Sequence, residues 1–393
     1  MFAMLSSMPR QIWAIALGHG VTDLSPGALY VALPFFKAQL GLTYAETSMI
    51  VLIQNITASL SQPIFGYFSD RTSRPWIMPI GCILSGLALL ASLLVENYFA
   101  VLVCTALSGL GNAAFHPEAA KIVNRLSGRS LGKGASLFSV WGNFGVALGT
   151  LLMAFLLGQQ NRAYFYIYAI PVLLCGALLM QVTRTLPPLA TTKKRAALTV
   201  KTAIQWPVFA LLGMVAARAT VSSGISAFVP LYYVSYLQGS TFYASSLLTV
   251  YMIFGALGTV FGGFMSDRYG SKRVMLCSIL PVAPLMYLFS YSSDWWPFVI
   301  LGLVSILLTA TFTSSLVLIQ KMMPGNIALA SGLNLGFSVG LGTLGVLFLG
   351  RVADTWGMPL IFTILSLLPL IAFVLTVFIE EPDRSTEKNS RLV

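Results

Sequence analysis

The chain has 393 residues, 57% of them apolar and only 9% charged, with a mean hydropathy of +0.83; an ordinary soluble domain is about a quarter charged. A water-soluble globular fold is excluded, because so few polar side chains cannot cover its surface and lipid must do so instead. The net charge of +11, from 23 Lys and Arg against 12 Asp and Glu, would suit a nucleic-acid binder only if the basic residues formed a groove, and they follow membrane topology instead.

Runs of about 20 apolar residues predict twelve membrane-spanning helices. Met1–Arg10 is short and no small-residue cleavage site follows it, so the first span is expected to stay in the membrane and not to be a signal peptide. The first six spans fall at 11–36, 45–68, 75–95, 98–122, 134–157 and 163–184. Leu186–Lys201, with Pro187, Pro188 and the Lys193-Lys194-Arg195 cluster, is the one long polar interruption and reads as a linker. Six further spans follow at 206–237, 242–265, 274–292, 296–320, 328–350 and 357–379. Tilted barrel strands would need only ~10 residues of alternating polarity, a pattern absent here. The expected domains are an N-terminal six-helix bundle (1–185), a cytoplasmic linker (186–205), a C-terminal six-helix bundle (206–381) and a cytoplasmic tail (382–393).

With the N-terminus in the cytoplasm, 19 of the 23 basic residues fall on that side, so the positive-inside rule places both termini there and makes this a multi-pass protein of the cytoplasmic (plasma) membrane. Lys37, Arg162 and Arg351 fall outside and Arg218 within a span. Trp295, Trp296 and Trp356 at outer ends and Trp13, Trp76 and Trp206 at inner ends are placed as interfacial anchors. The cysteines Cys82, Cys104, Cys175 and Cys277 all lie in apolar runs without metal-site spacing and read as buried, reduced packing residues.

Gly66-Tyr-Phe-Ser-Asp70-Arg71 recurs as Gly263-Phe-Met-Ser-Asp267-Arg268, an offset of 197, and Pro34 matches Pro230 at an offset of 196. Nearly equal offsets at separate places indicate a duplicated six-helix unit, a known way to build a secondary transporter.

The two G-x-x-S-D-R loops, with Arg74 and Arg273 beyond them, resemble the signature loop of the major facilitator superfamily, and twelve spans, a basic central linker and cytoplasmic termini agree across nearly the whole chain. Within it, Leu17-Gly-His19-Gly-Val-Thr-Asp23, Phe115-His-Pro-Glu118, Gly142-Asn-Phe-Gly145 and Met323-Pro-Gly-Asn-Ile-Ala-Leu-Ala-Ser-Gly332 resemble the fosmidomycin resistance subfamily of drug exporters. The resemblance implies an all-α membrane fold of two pseudo-symmetric six-helix bundles and export of a small molecule in exchange for protons. It also implies that the first, fourth, seventh and tenth spans line a central cavity. One departure is that Gly145-Val-Ala-Leu-Gly149-Thr150 in the fifth span lacks the Gly-Pro pair of many drug/proton antiporters, which leaves the direction of transport open.

An ionisable side chain in a span costs several kcal/mol unless it faces a polar interior, so each is a functional candidate. His19 and Asp23 lie four apart, on one face of the first span. His116 and Glu118 flank Pro117 in the fourth span, and Arg218 is the cation within the seventh. These five, with Asn143 and Trp141 of the fifth span, form the candidate proton and substrate pathway. Asn334 and Tyr232, Tyr233 and Tyr236 are further candidate substrate contacts. For His19 with Asp23 the alternative is a fixed polar tie between helices; for His116 and Glu118, solvation or pairing with Lys121; for Arg218, a permanent tie to an acid. Gly66, Asp70, Arg71, Arg74, Gly263, Asp267 and Arg268 are the candidate conformational gating loops. Glycines of the fifth and eleventh spans allow close helix approach.

These readings point to a secondary active transporter, not an enzyme, working as a monomer on a small-molecule substrate and protons within the lipid bilayer. No cofactor or metal is expected, and there is no G-x-x-x-x-G-K-[ST] loop for a nucleotide. The alternatives are an uptake permease or lipid flippase on the same fold, or an intramembrane metal enzyme using His19, Asp23, His116 and Glu118 as ligands.

Overall fold

A computed structural model describes residues 8–71, 74–127, 131–159, 161–186, 206–323 and 327–381. Among these residues the chain is helical and has no strand, and helices occupy all twelve expected span positions. The first six are Arg10–Leu40, Tyr44–Arg71, Ile77–Leu94, Tyr98–Ser127, Leu131–Leu157 and Ala169–Thr185, the last preceded by a 3₁₀ stretch over Arg162–Tyr168. The second six are Trp206–Pro230, Thr241–Tyr269, Ser271–Ile279 with Val282–Phe289, Trp296–Met322, Ile327–Trp356 and Met358–Val377. Nine of the described helices are long and apolar enough to cross a membrane. The first, second and eleventh fall outside that set, the first carrying His19, Thr22, Asp23 and Ser25 and the second Gln54, Asn55 and Thr57. The expected linker from residue 187 and the tail lie outside the described residues, as do the side chains of Asp70 and Arg71.

Local chemistry explains the boundaries. The first span stops at Gly41, whose φ of 63° is left-handed and suits glycine. The second starts at a capping box: Thr43 N–H donates to Glu46 Oε2 at 2.9 Å while Glu46 N–H donates to Thr43 Oγ1 at 3.1 Å. The ninth span, expected as one helix over 274–292, is broken at Leu280–Pro281, because Pro281 has no N–H to continue the ladder. The seventh passes after Pro230 into a wider π turn over Leu231–Tyr236.

Contacts divide the chain into two compact units: Met1–Ala196 with Ser226–Ile253, and Ala197–Ile225 with Phe254–Val393. In lipid, helices associate through close packing and interhelical hydrogen bonds and not through water exclusion, and the first unit shows both. The first and fifth spans meet at backbone distance: a β-carbon added at Gly145 would lie 2.6 Å from Gly20 Cα. Below this seam Ile12, Ile15, Met78, Cys82, Phe115, Ile122 and Leu179 form a core shared by the first, third, fourth and sixth spans. Gln54 Nε2 donates to Ser108 Oγ at 3.1 Å and Ser108 Oγ to Ser85 O at 2.9 Å, tying the second, fourth and third spans. Such bonds contribute about 0.6 kcal/mol each on average.

The second unit repeats a detail of the first. Ser266 Oγ and Ser314 Oγ, both buried, lie 2.7 Å apart between the eighth and tenth spans, at nearly the offset that carries Ser69 and Glu118 between the second and fourth. The Glu381 carboxylate caps the ninth span, accepting from Ser271 N–H at 2.9 Å and Lys272 N–H at 3.1 Å, with Lys321 Nζ at 3.9 Å. The cysteines expected to be buried divide instead: Cys82 and Cys175 are buried, Cys104 is half-buried and Cys277 is exposed.

Candidate functional site

Three titratable side chains of the first unit converge. His19 Nε2 and Asp23 Oδ2, one helical turn apart, are separated by 3.1 Å. His116 comes across from the fourth span, placing its Nε2 3.3 Å from Asp23 Oδ1 and 3.1 Å from His19 Nε2. Asn112, one turn before His116, donates its Nδ2 to Asp23 Oδ1 at 3.3 Å. The side chains of His19 and Asp23 keep 10% and 14% of their exposure and that of His116 24%, so the cluster is open mainly on the His116 side.

The other ring nitrogens decide the protonation pattern. His19 Nδ1 lies 2.7 Å from the Phe138 carbonyl oxygen and His116 Nδ1 lies 2.8 Å from that of Asn112. A carbonyl only accepts, so each Nδ1 is placed to donate to one and both Nε2 atoms point inward. The Phe138 ring stacks on His19 at 3.8 Å between centroids, and the opposite face of the imidazole is met by Gly142, where an added β-carbon would stand 2.7 Å from Nε2. The fifth span is thus glycine at this level because the ring occupies the space of a side chain.

Glu118 is not part of the cluster. Residues two apart on a helix point about 200° apart, and Glu118 faces the second span, where its Oε2 accepts from Ser69 Oγ. Lys121 Nζ donates to the Ser69 carbonyl and lies 3.8 Å from Glu118 Oε2, the pairing weighed as an alternative in the sequence. Glu118 is 1% exposed and its Oε1 has no hydrogen-bond partner among the described residues. The four-ligand set His19, Asp23, His116 and Glu118 is therefore not assembled; three ligand atoms, from His19, Asp23 and His116, lie within 4.8 Å of one another.

The remaining candidates disperse. Arg218 of the second unit is buried; its guanidinium donates to Ser338 Oγ at 3.0 Å and sits 5.0 Å from the Phe312 ring centroid. Trp141 packs against the core below His19 and edge-on to Phe144, while Asn143 is exposed. Tyr232, Tyr233 and Tyr236 of the π turn form a ring cluster with Tyr243. Asn334 is buried and its Oδ1 accepts from Ser315 Oγ at 3.2 Å. In the loops, Gly66 is half-buried, Arg74 and Asp267 are exposed, Gly263 is half-buried, and exposed Arg268 lies over the Tyr269 ring at 5.3 Å.

Sequence reasoning missed Asn112, the Phe138 carbonyl, Ser69, Ser338 and Phe312. Asn112 had a signal, its four-residue spacing from His116, and Ser69 lies within the repeated loop; the other three had none.

The Major Facilitator Superfamily profile matches residues 15–236 and 211–392. The chain is 34% identical to the fosmidomycin resistance protein of Escherichia coli (strain K12), covering 94% of this chain and 92% of that protein. It is 28% identical to the MFS-type transporter YfnC of Bacillus subtilis (strain 168), over 92% of this chain and 90% of the relative. Its fold is similar to the crystal structure of the nucleoside transporter NupG, with a TM-score of 0.73 at 18% identity, over 94% of this chain and 99% of that one.

Proposed function

The chain belongs to the major facilitator superfamily, and on that premise we propose that it is a secondary transporter exporting a small anionic or drug-like molecule, of the fosmidomycin type, in exchange for protons. The observation that carries the proposal is the cluster of His19, His116 and Asp23, three proton-binding groups in mutual contact inside the membrane region. Ionisable groups are retained at such depth where they serve a pathway or a relay, and imidazole changes charge within the physiological pH range. Arg218 supplies the positive charge for an anionic group: a guanidinium holds a phosphonate or carboxylate through two parallel hydrogen bonds. In this reading the two six-helix halves, 1–185 and 206–381, alternate access to opposite sides of the cytoplasmic membrane, as a monomer with cytoplasmic termini, needing no cofactor beyond the proton gradient.

The test is uptake of labelled fosmidomycin into inside-out vesicles holding the protein, with and without an acidic interior. One proton moved across one pH unit releases about 1.4 kcal/mol, enough for about tenfold accumulation in one-for-one exchange. Accumulation is expected to follow the imposed gradient and collapse with a protonophore. Uptake indifferent to the gradient refutes proton exchange, and failure to move any phosphonate or carboxylate drug refutes the anionic substrate. The missing Gly-Pro pair in Gly145–Thr150 favours one second reading, import on the same fold; accumulation only in right-side-out vesicles would establish it.

A further inference from the structure

We propose that the exchanged proton is held between the two imidazoles, as Nε2–H···Nε2 shared by His19 and His116, and that Asp23 remains an ionised counterion. The proposal rests on the proton-exchange reading of this site and says where in it the proton lies.

The distances between the nitrogens and oxygens limit how many protons the cluster can hold. Each Nδ1 hydrogen is committed to a backbone carbonyl, of Phe138 or Asn112, so only the two Nε2 positions vary. With no proton there, two lone pairs would face each other at 3.1 Å and also face the Asp23 oxygens at 3.1 and 3.3 Å, four acceptors with only the Asn112 amide as donor. With two protons, each Nε2–H has an Asp23 oxygen to donate to, at 3.1 and 3.3 Å, but two positive rings 3.1 Å apart would then share a single carboxylate and leave one charge unbalanced inside the membrane region. One proton fits: 3.1 Å is an ordinary hydrogen-bond length, the ring pair carries a single positive charge, and the carboxylate beside both rings balances it. The proton belongs to the rings and not to Asp23, because a carboxylic acid is a stronger acid than imidazolium and the Asn112 amide donates to the carboxylate, which favours its ionised form.

Among the described residues of the first unit, the groups packed around the cluster add no competing charge. Cys82 of the third span and Tyr168 before the sixth lie behind the first span, bonded to Thr22 and Ser25 respectively. Cys175 pairs with Cys82. Glu118 and Lys121 of the fourth span face each other and Ser69, and Arg125 lies in the last turn of that helix. The fifth span contributes a ring face and a carbonyl.

When the proton leaves, the remaining lone pairs repel, so the Nε2···Nε2 bond that joins the first span to the fourth is lost with it. Proton release and separation of these helices are one event.

The chain contains only two histidines, so protein labelled with ¹⁵N-histidine, in lipid nanodiscs, gives four ring signals in all. Both Nδ1 signals are expected to be protonated throughout a pH titration, with one proton shared between the Nε2 atoms until it is released. Infrared spectra of the same samples are expected to show no protonated-carboxyl band that Asp23→Asn removes. An Nε2–H, Nδ1-bare tautomer in either ring, both Nε2 atoms bare in the pH range where the pair should be loaded, or a carboxyl band assigned to Asp23 would each overturn the proposal. These spectra need no gradient, so they can fail while vesicle transport follows pH, and transport can fail while they hold.

Discussion

Gly142→Ala places one methyl group against the His19 imidazole. The added β-carbon would lie 2.4 Å from Cε1 and 2.7 Å from Nε2, while ordinary carbon contacts need roughly 3.5 Å, so the ring or the helix must yield by about 1.1 Å. The ring has little room, with Phe138 stacked at 3.8 Å on its other side, and the fifth span has little either, because Gly145 already touches the Gly20 backbone. A displacement of that size, directed against the ring face, carries Nε2 out of line with its partner and weakens the 3.1 Å hydrogen bond between the two Nε2 atoms. Weakening a bond to a charged partner, which is worth about 1.5–3 kcal/mol when whole, adds to an overpacking cost of about 1–3 kcal/mol. Gradient-driven transport in vesicles should fall about tenfold or more, since 1.4 kcal/mol is a factor of ten. Gly340→Ala is the control: it enters open space and should be neutral or slightly stabilising. If Gly142→Ala keeps wild-type gradient dependence and unshifted histidine ring signals, the role assigned to this packing is wrong.

Asp23→Asn removes the charge that balances the protonated ring pair while keeping the side chain's size; the protein should fold and bind substrate, yet its vesicle flux should no longer respond to an imposed pH step, and a response equal to wild type would count against the counterion. Arg218→Ala should abolish binding of an anionic drug, measured by calorimetry on purified protein, and Arg218→Lys should restore it only in part; full affinity in Arg218→Ala, with the protein folded, leaves only a structural role. Glu381→Ala uncaps the ninth span at Ser271 and Lys272 and should destabilise the protein by about 1 kcal/mol, read as a lower thermal midpoint than Glu380→Ala; equal midpoints would dismiss the cap.

Hydropathy was enough to place twelve helices, because a lipid-exposed helix must be apolar over a fixed length whatever it packs against. Local chemistry was equally legible: the Thr43–Glu46 capping box, and the shared face of His19 and Asp23, depend only on spacing along one helix. So was one point that went unread, since a two-residue separation already prevents His116 and Glu118 from facing the same way. What the sequence could not contain is which surface each face meets. That His116 comes to Asp23, that Phe138 offers a carbonyl where His19 Nδ1 needs an acceptor, and that Gly142 leaves room for the ring are results of packing between segments 97 and 119 residues apart. The breaks at Pro281 and after Pro230 occupy an intermediate place: proline announces that the ladder is interrupted, but whether the helix ends, kinks or widens into a π turn is decided by the neighbours that satisfy the freed groups. The amino acids at positions 19, 23 and 116 were visible from the start, whereas the single proton that their geometry accommodates became countable only when tertiary structure set the distances between their nitrogens and oxygens.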